Sequence, residues 1–230
     1  MLAEKAREVY ARIEEKRNIF IWICVAIILL SLVRFSLWAA RRGRASGPGV
    51  YMQQLQSSDK QEKKYAAYAL GRTGVREALP ALEEILKGDS DEEIKRVAAW
   101  SIGTLDAGKL VSLLELQQKD AKHIVMETLM KLDMEKNIGF LVKRLPHEDT
   151  DTKHRILSYM ESAGPAPYRE ELVRLAEKAG EDKSLREKSL GMLKTAGIEG
   201  FENRLWNIYY NDPDEEIKKK VYDILQGRGR

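Results

Sequence analysis

His123, His147, His154 and the single Cys24 are the side chains of this 230-residue chain best suited to bind a metal or attack an electrophile. The densest donor cluster is HEDTDTKH, residues 147–154. Its spacing matches no zinc pattern, and its acids stand where a loop enters a helix, so it reads as a solvated turn and helix start. DSDEE (89–93) and DPDEE (212–216) resemble calcium loops only in their acidity. The other ligands and the turn glycine of an EF-hand are missing, and both read as acidic helix beginnings. One cysteine excludes an intrachain disulfide, a thiolate zinc site and a CxxC pair. No phosphate-cradling glycine loop, CxxCH haem site or GxSxG elbow occurs. The sequence predicts a protein that is not an enzyme, with no cofactor, no metal and no small-molecule substrate.

Charge offers a different kind of chemistry. Basic residues recur along one set of helices: Lys63, Lys64, Lys95, Arg96, Lys122, Lys153, Arg155, Arg186, Lys188, Lys219 and Lys220. Such a row is either a track for an acidic protein or anionic headgroups, or a set of solvated faces paired with neighbouring acids. Lys64, Arg96, Arg155, Lys188 and Lys220 are its candidate contact residues. The formal charge of +3 is unevenly spread. Residues 1–48 hold nine Lys/Arg and four acids, leaving 30 basic and 32 acidic residues for the remainder. A near-neutral main portion is no general polyanion binder, and no nucleic-acid partner is expected. RLWNIYY (204–210) concentrates aromatics near the end, with Trp206, Tyr209 and Tyr210 as candidate partner contacts and Tyr222 nearby. They either pack inward or mark a partner subunit, where Trp and Tyr are enriched.

These residues need elements to hold them. IFIWICVAIILLSLV, residues 19–33, carries no charge, and after Arg34 the apolar character continues to Ala40. Twenty-two helical residues rise about 33 Å, enough for a hydrocarbon core of about 30 Å. Thirteen Ile, Leu, Val and Phe residues favour insertion by about 4 to 8 kcal/mol, against roughly 2.5 to 3.5 kcal/mol for a central Arg. Arg34 lies off-centre, within snorkelling reach of the headgroups. The reading is a transmembrane helix over 19–40, with Trp38 in the interfacial belt and Arg41, Arg42 and Arg44 just outside. A cleavable signal peptide conflicts with the long charged leader and the arginines after the apolar run. Five Lys/Arg precede the span and three follow closely, so the positive-inside rule nearly ties. The acid-free RRGR tips the main domain towards the cytoplasm; an extracytoplasmic placement stays open. Residues 1–18 form an amphipathic helix with Leu2, Ala6, Val9, Tyr10 and Ile13 on one stripe. That stripe is a solvated continuation of the span, or a contact for a partner helix or membrane surface. Residues 41–48 are a basic linker punctuated by Gly and Pro.

From residue 49 to 230 one unit repeats. Ala66-Ala67 with Leu70-Gly71 returns as Ala98-Ala99 with Ile102-Gly103; Asp59 aligns with Asp91, Lys64 with Arg96, Tyr68 with Trp100. The leading aspartate continues as Asp120, Asp151, Asp182 and Asp214, at intervals of 32, 29, 31, 31 and 32 residues. Matching apolar positions follow each: Ala66/Leu70, Ala98/Ile102, Val125/Leu129, Ile156/Met160, Ser189/Leu193 and Val221/Leu225. Apolar helices are predicted between them at 77–87, 108–119, 135–145, 168–179 and 200–210. A pair of short helices cannot enclose a core, so each buries its stripe against the next pair. The aspartates suit helix N-caps, accepting free amides at the positive dipole end.

The Asp…Lys/Arg-x-Ala-Ala-x-x-Leu/Ile-Gly pattern at 59–71 and 91–103 resembles the short HEAT-repeat family, the variety also found in phycobilisome lyases. What the resemblance implies is an all-α chain, an α-solenoid of about six helix pairs behind the transmembrane helix. It further implies a noncatalytic docking scaffold for a protein partner; joined to the apolar span, the reading is an accessory subunit of a membrane complex with the bilayer bound through 19–40. The alternatives are a chromophore-lyase-like enzyme and an adaptor for anionic lipid.

Overall fold

The structure is a computed structural model that describes residues 47–227. The helix predicted for 1–18, the span 19–40 with Arg34 and Trp38, and Arg41, Arg42 and Arg44 lie outside the described residues. Among those described, no helix is long and apolar enough to cross a membrane. The described residues divide between two units at Ser58 and Asp59. In the first, α1 (Pro48–Gln54) begins one residue earlier than the predicted boundary, with Pro48 in its first turn, where a missing N–H costs nothing.

The second unit is entirely helical among the described residues. Its aspartate-headed helices are α2 (Lys60–Thr73), α4 (Glu92–Leu105), the first half of α6 (Lys119–Arg144), α7 (Thr150–Ser162), α9 (Lys183–Ala196) and α11 (Glu215–Leu225). Between them come α3 (Leu79–Gly88), α5 (Ala107–Ser112), the second half of α6, α8 (Arg169–Glu177) and α10 (Glu202–Asn211). Consecutive members of the first set pack side by side, α2 on α4, α4 on α6, α6 on α7, α7 on α9 and α9 on α11, while the second set lies against them as another layer. This is the stacked-pair arrangement that the repeat period requires.

Each aspartate-headed helix starts for a local reason. Asp59, Asp91, Asp182 and Asp214 adopt non-helical backbone angles, and each accepts two free amides of the first turn. Two of the predicted caps are corrected. The cap of α7 is Asp149, two residues before Asp151. At α6 it is Gln118, which makes no side-chain cap bond, and Asp120 instead pairs with Lys95 at 2.5 Å. Counted from these observed caps, the matched apolar positions fall seven and eleven residues on in every unit, and only Leu225, on the last helix, escapes full burial. Apolar register, not the aspartate, keeps the repeat in step.

Two sharp joints dispense with a loop. Asp106 ends α4 and caps α5 through the Lys109 amide at 2.9 Å. Asp133 repeats the device inside α6: its backbone leaves the helix at φ −166° and ψ 97°, and its carboxylate accepts the Lys136 amide at 3.0 Å. The helix predicted at 108–119 is shorter than expected, ending at Ser112 before a single 3-10 turn to Glu115.

Candidate docking surface

The basic row divides by its distance from the cap. Lys63, Lys95, Lys122, Lys153 and Arg186 stand four residues after it, and each reaches an acid at the head of the next helix. The pairs are Lys63–Asp89 at 2.8 Å, Lys95–Asp120, Lys122–Glu148 at 2.9 Å, Lys153–Glu181 at 2.7 Å and Arg186–Asp212. Arg186 forks both guanidinium nitrogens onto Asp212 and donates from Nε to the Ala176 carbonyl at 2.9 Å. Oδ1 of Asp89, left free by Lys63, accepts the Asp91 amide, and Oδ1 of Asp212 accepts the Asp214 amide as well as Arg186. These cations are spent on rungs between neighbouring helices, and the rungs of Lys153 and Arg186 are buried on both sides.

A second row lies towards the surface. Lys60, Lys119 and Lys183, one residue after their caps, pair with Asp91, Asp149 and Asp214 of the next helix. The hydrogen bond from Lys60 holds the Asp91 carboxyl below its ordinary range, and Lys183 does the same for Asp214. Partial burial pushes Glu181 upward, but the ammoniums of Lys153 and Lys178 outweigh it and its carboxyl stays low. Asp149 is also depressed: burial opposes ionisation, and bonds from Thr152 and Lys119 overcome it.

Of the predicted contact residues, Lys64 pairs with Glu93 at 2.7 Å, Arg96 with Glu92 and Glu127, Lys188 with the Ser158 hydroxyl at 2.7 Å, and Lys220 with Glu187 at 3.2 Å. Arg155 differs. It is exposed and, among the described residues, has no carboxylate within ion-pair distance; the Tyr159 hydroxyl lies beside it.

Trp206, Tyr209 and Tyr210 do not pack into the core. They form one surface cluster, with Trp206 stacked on Tyr210 at 5.7 Å and Tyr222 touching Tyr209 at 5.4 Å; Tyr210 is 69% exposed. The cluster is built from α10 and α11, the helix that also carries Lys219 and Lys220 of the basic row.

Two cavities open on the aspartate-headed layer. The first, about 340 Å³, is an apolar groove with Tyr68, Val97 and Trp100 as its wall and Glu93, Arg96, Glu127, Thr128 and Lys131 around them. Tyr68 and Trp100 stack at 5.1 Å with their planes 20° apart, and Tyr68 stays 40% exposed. The second, about 320 Å³, is polar and lies beyond Arg96 and Glu127, which line both. It holds Lys95, Asp120, His123 and Arg155. The His123 ring faces the Thr152 hydroxyl at 3.0 Å. Burial, helped by the Arg155 charge, holds His123 below the ordinary histidine value. The sequence pairs Tyr68 with Trp100 as equivalent positions. What it does not carry is that two helices bring them into a parallel stack on the surface.

HEDTDTKH divides among unrelated tasks. Glu148 is buried with Lys122, Asp149 caps α7, and His154 meets the Ser184 hydroxyl at 2.7 Å. DSDEE and DPDEE are helix starts, headed by Asp91 and Asp214. Among the described residues no group of three or more His, Cys, Asp or Glu could hold a metal ion.

A family model described as HEAT repeats matches residues 50–132. The match covers the two units with the alanine pairs and the first half of α6. No curated protein sequence matches the chain. Among solved structures, the complex of CpcE and CpcF of phycocyanin lyase from Nostoc sp. PCC7120 is similar at 20% identity, over 79% of this chain and 94% of that one, with a TM-score of 0.34. An engineered protein is similar at 18% identity over 80% and 99% of the two chains, also with a TM-score of 0.34. At that TM-score neither neighbour bears on activity or partner.

Proposed function

We propose that this chain is a noncatalytic docking scaffold, tethered to a membrane by residues 19–40, that holds a protein partner on the face of its aspartate-headed helices. The observation that carries the reading is the open apolar groove with the stacked Tyr68 and Trp100 at its wall. Soluble surfaces seldom leave large stacked aromatics uncovered without an interaction to serve. The fate of the basic row supports a local site over a continuous cationic track, since most of its charges are spent on neighbouring helices. That also weakens electrostatic lipid binding through the same row. The proposed anchor rests on the length and apolar composition of 19–40, and tethering would raise the local concentration of whatever the groove binds.

Full-length protein solubilised in detergent should co-purify with a stoichiometric partner that a 49–230 fragment holds more weakly. Recovery only as an isolated chain would contradict the docking role. Carbonate-resistant membrane association that disappears when 19–40 is deleted checks the tether, and extraction by carbonate would refute it.

A further inference from the structure

The apolar groove and the polar pocket share Arg96 and Glu127 as a common wall, so one ligand can reach both. We propose that this ligand is an extended segment of the partner protein, placing one large apolar side chain against Tyr68 and Trp100 and one carboxylate on Arg155. The inference rests on the docking reading and supplies the chemistry of what docks.

Charge selects the carboxylate. Within the polar pocket Lys95 has Asp120 and Arg96 has Glu92 and Glu127. Arg155 lines the same pocket and, among the described residues, has no carboxylate within ion-pair distance. A carboxylate on a guanidinium forms charge-assisted, often bidentate bonds that a hydroxyl cannot match. The apolar half follows from the groove itself, whose wall of two rings and Val97 offers an incoming side chain dispersion contact and little competing hydrogen bonding.

Position in the repeat reinforces this. Six residues after the cap, the side chains run Val97, Ile124, Arg155, Lys188 and Lys220 along successive helices. Ile124 is buried, so the accessible members of the row pass from the apolar Val97 to the cationic Arg155, Lys188 and Lys220, and a segment crossing the helices would meet the two characters in that order. Spacing makes the assignment specific. Trp100 sits on α4 and Arg155 on α7, with α6 between, which is two interhelix steps of about 8–10 Å each. An extended chain covers that distance in about five or six residues at ~3.3 Å apiece.

The test uses fluorescein-labelled peptides with a Gly/Ser background, one Trp, and one Asp two to eight positions away, titrated by anisotropy onto the full-length chain in detergent. Binding should be tightest at a separation of five or six and fall about tenfold when Asp becomes Asn. Arg155→Gln should erase the Asp/Asn difference while leaving the dependence on Trp. Trp100→Ala should weaken every peptide; if that variant unfolds, Tyr68→Ser serves the same purpose from the rim. A maximum at three or four positions, about 10–13 Å of extended chain, would fall short of Arg155 and overturn the extended assignment. Equal binding of Asp and Asn peptides, or a difference that survives Arg155→Gln, would overturn the role of Arg155. If no peptide binds while the chain still co-purifies with a stoichiometric partner, this inference fails and the docking reading survives; if neither occurs, both fail.

Discussion

The first and last interfaces of the aspartate-headed layer are closed by different means. Between α2 and α4, Ala66, Ala67, Ala98 and Ala99 are wholly buried, and the Ser101 hydroxyl donates to the Ala67 carbonyl at 2.8 Å across the seam. A Cβ added at Gly71 would come within 2.6 Å of Ser101, so only glycine permits the approach. The two helices touch along more of their length than any other neighbours in the layer. Between α9 and α11 the positions of Ala67 and Ala99 are taken by Leu190 and Tyr222, and a buried ion pair joins the seam. Lys63 on the first interface remains 23% exposed, whereas Arg186 and Asp212 on the last are both 3% exposed. One rung of the repeat thus changes from a surface contact into a piece of core. Backbone proximity closes one end, and paired, desolvated charge closes the other.

The sharpest way to break the comparison is to remove a charge at the buried end. Arg186→Ala strands Asp212 without its partner, and the expected loss is about 3–5 kcal/mol in urea unfolding. Lys63→Ala at the exposed end should cost clearly less, and equal losses would remove the distinction. The next effect concerns glycine. Gly71→Ala should destabilise by about 1–3 kcal/mol, because the helices must part. Gly191→Ala, in α9 where nothing lies within 4 Å of the added Cβ, should stabilise by about 0.5–1 kcal/mol. If both substitutions shift the melting temperature the same way, the close approach is not what holds α2 to α4.

A subtler difference lies between the ends. At the position held by Lys64 and Arg96 in the first two helices, α6 and α7 carry His123 and His154, bonded to the hydroxyls of Thr152 and Ser184. Burial and Arg155 keep the His123 value in the folded chain below its unfolded value of about 6.5. The unfolded state therefore takes up the proton first. This contribution to stability is complete above about pH 6.5 and is lost as the pH falls through the folded value. Thermal melts between pH 7.5 and 5 should show a decline that His123→Gln reduces, and an unchanged slope would assign the decline elsewhere. The smallest effect is expected at Lys64, whose partner Glu93 is largely exposed. Lys64→Ala should change stability by about 0–1 kcal/mol.

How much of this was legible depends on which residues carry it. The alternation of helices from α2 onward follows from apolar spacing, and that spacing locates the buried positions even where the aspartate misleads. Asp120 and Asp151 stand close to where a cap belongs, but the true caps, Gln118 and Asp149, sit two residues earlier. Composition cannot separate them, because capping depends on backbone angles. The basic row reads in sequence as one surface. Four residues after a cap and five or six after it look alike in a list, yet a turn of helix geometry sends the first group into the seam and the second towards solvent. Tyr68 and Trp100 are visible as a matched pair, but their stacking is a property of two neighbouring helices that neither sequence segment contains alone. The terminal aromatics leave two readings open in the sequence; the structure places Trp206, Tyr209 and Tyr210 at the surface, in contact with one another.

The docking face itself is the claim to test most directly. A photo-cross-linking aromatic residue would be introduced in place of Tyr68, beside the groove, or in place of Asn203, exposed on α10 of the other layer, and native membranes would be illuminated. Position 68 should yield one discrete protein adduct that position 203 does not. An adduct from 203 alone, equal adducts from both, or none from 68 would contradict the placement of the partner.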